Sequence, residues 1–551
     1  MVDLSLPPPD GNRPGALFDS RTLPGRLEPT SEALRVLLAR ERFERTALCQ
    51  KGAPTSCPGF SRHFAGEGQV KRRRFVRNAA FGSAGIALQN CGQGITTSPG
   101  PVGLATPSPR AKPSFVVVVM DDARFDDLRH MDHLPTIMAA EGLTFDSAYV
   151  AVPLCAPSRV SILTGRYGHN HHVWSNEIPH GGYVGFHDSQ LEHQTIAVWL
   201  KQAGYRTMLA GKYLNHYAED PRLQDYVPPG WDEWYVPVPM NTQFRYSLRF
   251  KDALGRQGWE PHGADDRDYE VDVLRDKTVD FIRRSGPFFA YVAPVPPHIP
   301  HLAAPRFQDR FRDLPFERPP SFNEANAKDK PYWVRSLPRI TPNTEAQIIE
   351  DWRTRLRSLL AVDEMVKVFV DVLTELGRLE NTYIILTSDN GWFLGEHRYA
   401  KGKSAPYEEA CRAPLVIRGP GAPAGKTLDH PVSLVDLAPT LLELAQGPLS
   451  DSLDGRSLVP LLSADPVPVD QWRRAVLFEG AAQFEAIRTK DYVYIRWGEL
   501  FTELYDMRRD PYQTANLLYY LDLEPDAEAI AMPLAAELAE LTTCRSTPCR
   551  R

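Results

Sequence analysis

One short stretch, CAPSRVSILTGR, sets a lone cysteine, Cys155, ahead of a proline, a serine and an arginine at the mouth of an apolar segment. Pro157 suits the first turn of a helix, where its missing N–H costs nothing. Ile162 and Leu163 then turn an apolar face inward, while Arg159, four residues after Cys155, returns to the face that carries the cysteine. The spacing predicts Cys155 at a helix N-terminus beside a guanidinium, a setting that stabilises an anionic group. A cysteine phosphatase needs a longer loop of backbone amides than the three residues between Cys155 and Arg159. An ordinary thiol nucleophile therefore fits poorly.

Two oxygen-rich doublets accompany it. SFVVVVMDDAR is a β-branched run ending in Asp121 and Asp122, and NTYIILTSDNG repeats the design with Asp389 and Asn390. Adjacent carboxylates stay ionised together only with a compensating cation. The four are hard oxygen donors with no cysteine or histidine inside either doublet, which suits calcium or magnesium rather than zinc. Alone, each doublet also reads as a strand-end cap or turn. Two of them, each after a buried strand, point to a metal.

The elements that must position these groups read as an α/β fold. Both doublets follow runs typical of strands buried on two faces. TRLRSLLAVDEMVKVFVDVLTELG has helical spacing with Gly377 as its stop, and TIAVWLKQAGYRTMLAGKY reads as helix, glycine turn, strand. Alternating helices and strands imply a mostly parallel sheet, whose ligands gather at the carboxyl ends of its strands. After about residue 465 the short alternating segments AVLFEG, FEAIRTK and DYVYIRW suggest an antiparallel sheet, followed by a helix in AEAIAMPLAAELAEL. The expected organisation is a leader and Pro-rich linker over 1–112, a catalytic domain over 113–465 and a smaller α+β subdomain over 466–551.

The 551 residues are 42% hydrophobic and 24% charged with a formal net charge of -6, so no basic excess argues for nucleic acid. No apolar run approaches the roughly 20 residues of a membrane-spanning helix. KRRRFVRNAAFGSAGIALQNC, residues 71–91, has the order of an export signal: paired arginines of twin-arginine type, a mild apolar segment, and Cys91 as a site for lipid attachment. Its distance from the N-terminus is unusual. Cys544 and Cys549 are close enough to close a disulfide, consistent with an oxidising compartment.

CAPSRVSILTGR resembles the signature of the type I sulfatases, in which a C-x-P-x-R cysteine is oxidised to formylglycine by a maturation enzyme. VVMDDAR, GRYGHNHHV, AGKYLNHY, PVPPHIPH and TSDNGWFLGEHRYAKGKSAPYEEACRAPLVIRGPG follow in the family's order, from about residue 115 onward. The resemblance implies an alkaline-phosphatase-like large domain. It makes Cys155 a formylglycine, hydrated to a diol that attacks sulfur. Asp121, Asp122, Asp389 and Asn390 would hold a divalent ion, calcium rather than magnesium, which also contacts the residue at 155. Arg159 would orient the diol, while Lys212, His298 and Lys403 would grip the sulfate and His298 would protonate the departing alcohol. Lys403 is preferred to Lys401 because its distance to Tyr407 matches the family. Leu214 stands where many sulfatases have a histidine, leaving His216 or His171 to take that role. His169, His171 and His172 read equally well as structural. GKYLN and HNHHV resemble the N-acetylglucosamine-6-sulfatase branch, which implies a sulfated sugar as substrate, with specificity expected in loops within 217–270. The alternatives are a phosphonate or phosphodiester hydrolase with the same nucleophile, and a non-catalytic sulfoglycan binder in which Cys155 is never oxidised.

Overall fold

The computed structural model describes residues 112–447, 450–481, 483–520 and 523–550. The expected leader, export signal and Cys91 lie outside these residues. The strands are β1 (Ser114–Met120), β2 (Leu143–Phe145), β3 (Ala148–Tyr149), β4 (Arg206–Gly211), β5 (Glu233–Val238), β6 (Tyr246–Lys251), β7 (Gln257–His262), β8 (Phe288–Ala293), β9 (Thr382–Ser388), β10 (Leu415–Arg418), β11 (Lys426–Leu428), β12 (Val432–Ser433), β13 (Ala475–Gly480), β14 (Phe484–Thr489), β15 (Tyr492–Trp497) and β16 (Phe501–Asp506). Six helices matter below: α1 (Cys155–Thr164), α2 (Ile196–Gln202), α3 (Glu270–Ile282), α4 (Pro342–Glu375), α5 (Leu437–Leu444) and α6 (Ala527–Leu541).

Ten strands form one mixed sheet in the order β11-β2-β10-β9-β1-β8-β4-β5-β6-β7. Its centre, β9-β1-β8-β4-β5, is parallel, and antiparallel strands flank it. β1 shows why its residues are β-branched throughout. Phe115, Val117 and Val119 face the layer containing α1, α2 and α5, while Val116, Val118 and Met120 face the layer containing α3 and α4. A strand covered on both sides gains apolar burial at every position.

The last four strands form an antiparallel meander, β13-β14-β15-β16. Leu477, Ile487 and Leu504 pack against α6, and Phe478, Ile495 and Trp497 pack against Phe393 and Tyr407. Cys544 and Cys549 are joined just beyond α6. Among the described residues no helix is long and apolar enough to cross a membrane.

Two elements differ from the sequence reading. α4 starts at Pro342, a turn or more before the apolar pattern becomes regular, because Thr341 Oγ1 accepts from the Thr344 N–H at 3.2 Å and Pro342 occupies the first turn. The stretch 217–270, read as loops, contains β5, β6 and β7, which extend the sheet. Its basic and aromatic groups are partly consumed by that packing: Arg249 is 2% exposed, and its guanidinium donates to the carbonyls of Asp225, Phe250 and Gly258.

Candidate active site

Parallel register brings the chemistry together. Met120 pairs with Ser388 and Gly211 with Ala293, so β9, β1, β8 and β4 end side by side. Asp121 and Asp122 follow β1, Asp389 and Asn390 follow β9, Lys212 follows β4, and His298 lies in the loop after β8. Asp121, Asp122, Asp389 and Asn390 are all wholly buried. Asp122 has a left-handed backbone (φ 69), a costly conformation for a residue other than glycine. Its N–H donates to Asp389 Oδ1 at 3.1 Å, and its carbonyl accepts from Arg355 Nη2 at 2.5 Å.

α1 aims its N-terminus at the same point. Every residue of this helix is buried. The Ala156 N–H, in its first turn, donates to Asn176 Oδ1 at 2.9 Å, and Gly165 (φ 65) closes its C-terminus with an N–H bond to Ser161 O at 2.8 Å. Cys155 Sγ lies 3.4 Å from Asp121 Oδ1 and 2.8 Å from Lys403 Nζ. One turn on, Arg159 donates from Nε to Asp389 Oδ2 at 2.7 Å and from Nη1 to the Lys212 carbonyl at 2.8 Å. Lys212 Nζ meets Asp121 Oδ2 at 2.5 Å, and Lys403 Nζ also bonds Asp122 Oδ1. Phe393 N donates to Gly402 O at 2.8 Å, folding the loop back so that Lys403 reaches the cysteine; Lys401 is exposed instead. His298 sits at the mouth with its side chain 15% exposed and Nε2 3.8 Å from Asp122 Oδ2. The Ile299 carbonyl accepts from His298 Nδ1 at 2.7 Å, so in the neutral ring Nε2 is the open acceptor.

The other histidines are committed elsewhere. His171 Nδ1 accepts from the Val173 N–H at 3.1 Å, which leaves the hydrogen on Nε2 to donate to Ser161 Oγ at 3.0 Å. His216 pairs with Glu219 at 2.6 Å and Glu177 at 3.5 Å, and His169 joins Glu479 and Cys544 O, both at 2.8 Å. His172 is exposed. Leu214 itself is wholly buried in the apolar core. Sequence reasoning missed two supports, Asn176 and Arg355. A buried arginine in mid-helix carries no motif, yet Arg355 of α4 links Asp122 O to Pro297 O, its Nη1 3.3 Å away.

The electrostatics follow from burial. Desolvation alone would raise the Asp121 carboxyl, but Lys212, His298, Arg159 and Lys403 hold it well below the usual range. Asp389 is raised by desolvation and by the charge of Asp121, against the pull of Arg159. The Cys155 thiol is pushed up to about 12 by burial and by Asp121, against Lys212 and Lys403. Asp121, Asp122 and Asp389 place one carboxylate oxygen each within 4.8 Å of the others. Asp122 Oδ2 and Asn390 Oδ1 are buried without a hydrogen-bond partner. Buried orphan acceptors are expensive, and these belong to an all-oxygen set, so the residues present fit a hard divalent cation.

Residues 113–447 match the family model described as Sulfatase, and residues 395–543 match that described as N-sulphoglucosamine sulphohydrolase, C-terminal. The extracellular sulfatase SULF-1 homologue of Drosophila melanogaster is 33% identical over 385 residues, covering 68% of this chain and 33% of that protein. The chain likewise spans 52% of the Caenorhabditis elegans counterpart. Human N-acetylglucosamine-6-sulfatase is 31% identical over 486 residues, covering 80% of this chain and 86% of that enzyme. A solved protein in complex with its substrate D-glucosamine-2-N,6-O-disulfate shares the fold with a TM-score of 0.63 at 24% identity, covering 77% of this chain and 97% of that one. A phosphonate monoester hydrolase from Silicibacter pomeroyi shares it with a TM-score of 0.62 at 22% identity, covering 77% of this chain and 95% of that one.

Proposed function

The chain belongs to the sulfatase family, and from that membership we propose that it hydrolyses the sulfate ester of a sulfated sugar at Cys155, matured to formylglycine. The observation that carries this reading is the convergence of Asp121, Asp122, Asp389, Asn390, Arg159, Lys212, Lys403 and His298 on one buried cysteine at the end of a parallel sheet. The hydrated aldehyde would supply an oxygen nucleophile for sulfur, and a divalent cation, calcium, which the three carboxylates and Asn390 would hold, would supply Lewis-acid stabilisation of the developing charge.

The chain's own groups do the rest. Three carboxylates face three cations, Arg159, Lys212 and Lys403, so their formal charges cancel. A bound divalent ion then leaves the site net positive and attractive to a sulfate monoanion. Lys212 and Lys403 bracket residue 155 with ammonium groups preset for the sulfate oxygens, which lowers the reorganisation needed during reaction. Arg159 fixes Asp389 and the Lys212 turn together. Asp121 Oδ1 accepts from Cys155 Sγ and so fixes the side chain at that position. His298, tethered through Nδ1, presents Nε2 at the mouth, and in its protonated form that nitrogen donates a proton to the departing alcohol.

The substrate class rests on the sulfated-sugar enzymes among the relatives, and export rests on the extracellular ones together with the Cys544–Cys549 bridge and the 71–91 pattern. Twin-arginine-like export with lipid attachment at Cys91 remains part of this proposal, as does division into a catalytic domain over 113–465 and a subdomain over 466–551. The test is the intact mass of the peptide carrying Cys155, from protein made with a maturation enzyme, followed by sulfate release from N-acetylglucosamine-6-sulfate. The expected result is a mass shifted from CH2SH to CHO, sulfate turnover that exceeds aryl phosphodiester turnover, and no turnover by Cys155→Ala. An unmodified cysteine under those conditions overturns the reading in favour of a non-catalytic binder; faster phosphodiester turnover overturns it in favour of the phosphorus hydrolase.

A further inference from the structure

One surface has a composition that the reaction leaves unexplained. Four large aromatic side chains among the described residues are strongly exposed: Tyr332 at 70%, Tyr519 at 48%, Tyr512 at 42% and Trp333 at 41%. All four belong to two segments that bond to one another. Asn326 Nδ2 reaches Tyr520 OH at 3.3 Å, Lys330 Nζ reaches Gln513 O at 2.6 Å, and Trp333 stands edge-on to Trp497 at 5.0 Å between centroids. Basic groups interleave with the rings. Lys328 and Arg335 are exposed and form no ion pair among the described residues.

This surface is continuous with the loop that delivers Lys403. The Arg398 guanidinium donates to the carbonyls of Glu324 at 2.9 Å, Ala325 at 3.1 Å, Leu337 at 3.2 Å and Arg335 at 3.3 Å. It thereby ties the segment carrying Tyr332, Trp333 and Arg335 to a point five residues before Lys403.

Resting on the sulfated-sugar reading above, we propose that Lys328, Tyr332, Trp333 and Arg335 form a rim that binds a sulfated polysaccharide beyond the sugar unit being cleaved. Exposed aromatic faces pack the C–H faces of pyranose rings, which bury apolar area without demanding a fixed sequence of substituents. Unpaired ammonium and guanidinium groups supply the complement to sulfates along the polymer. A protein with a net charge of -6 has no general attraction for a polyanion, so a local rim has to provide it.

The test compares full-length wild type with Lys328→Ala/Arg335→Ala and Tyr332→Ala/Trp333→Ala on a dextran sulfate column and on N-acetylglucosamine-6-sulfate. Both variants should elute at lower salt and raise KM for a sulfated oligosaccharide by about tenfold. Their KM and kcat for the monosaccharide should stay at wild-type values. The charge variant should also flatten the salt dependence of retention, as expected when polyanion contacts are removed. The aromatic pair changes no charge, so its effect separates a built surface from plain ion exchange. Wild-type retention by both variants overturns the rim. Retention needs no turnover, so an inactive wild type that still loses binding in both variants would fault the reaction and leave the rim standing.

Discussion

Arg159 joins three parts of the site through one planar group: Asp389 by Nε, the Lys212 carbonyl by Nη1, and Asp121 at 3.9 Å from Nη2. A lysine keeps the charge but cannot present that fork. Arg159→Lys is expected to lower kcat/KM for a sulfated sugar by roughly a hundredfold or more, the scale of losing a preorganised donor. Steady-state kinetics beside a thermal melt checks this, and near-wild-type kcat/KM would show the fork to be dispensable. At this scale the sequence was informative where residue types recur in tight strings. DD and DNG suggest a metal only when taken together, C-x-P-x-R gains its meaning from the family resemblance, and each string lies at the end of a central strand or at the start of α1. Arg355 and Asn176 were illegible because their contribution lies in where a side chain lands: Arg355 bonds Asp122 O from a helix more than two hundred residues away in the chain.

The close packing of element ends explains the glycine that precedes Lys212. Gly211 ends β4 with φ +111, and a Cβ there would lie 2.1 Å from Ala293 O. This approach lets the Lys212 N–H donate to Ala293 O at 2.7 Å and starts the turn that sends Lys212 to Asp121. Gly211→Ala should therefore destabilise the fold by about 2–4 kcal/mol. Urea unfolding would reveal it, and an unchanged midpoint would mean that the strand end can relax. Element type was largely readable, since β1 and β9 are continuous β-branched runs and α4 has a regular apolar stripe. The edge hairpin of β6 and β7 was not readable, because FRYSLRFK mixes aromatic and basic residues in a way that also suits a binding loop. Its meaning changes only when Arg249 turns inward to bond backbone carbonyls.

Across the molecule, burial sets how stability answers to acid. His171 is wholly enclosed and locked neutral, and burial lowers its pKa to about 3. Such a ring takes a proton near pH 6.5 when unfolded but only near 3 when folded. Its contribution to stability is present above about pH 6.5 and is lost as the pH falls from there toward 3. Between pH 7 and 5 the loss is about 2 kcal/mol. His171→Gln should flatten the pH dependence of the urea midpoint over that interval, whatever its effect at pH 7. A slope identical to wild type would mean that the ring protonates in place.

The complete enclosure of Cys155 also has a consequence in time. A side chain with no exposed surface, on a helix with no exposed residue, offers nothing for another enzyme to grasp. On the proposed maturation of Cys155, its conversion would have to be finished while the segment is still extended. The supply of active protein would then be set by a race between the maturation enzyme and the closing of the core. A change that merely speeds folding could lower the active fraction while leaving every contact described above intact.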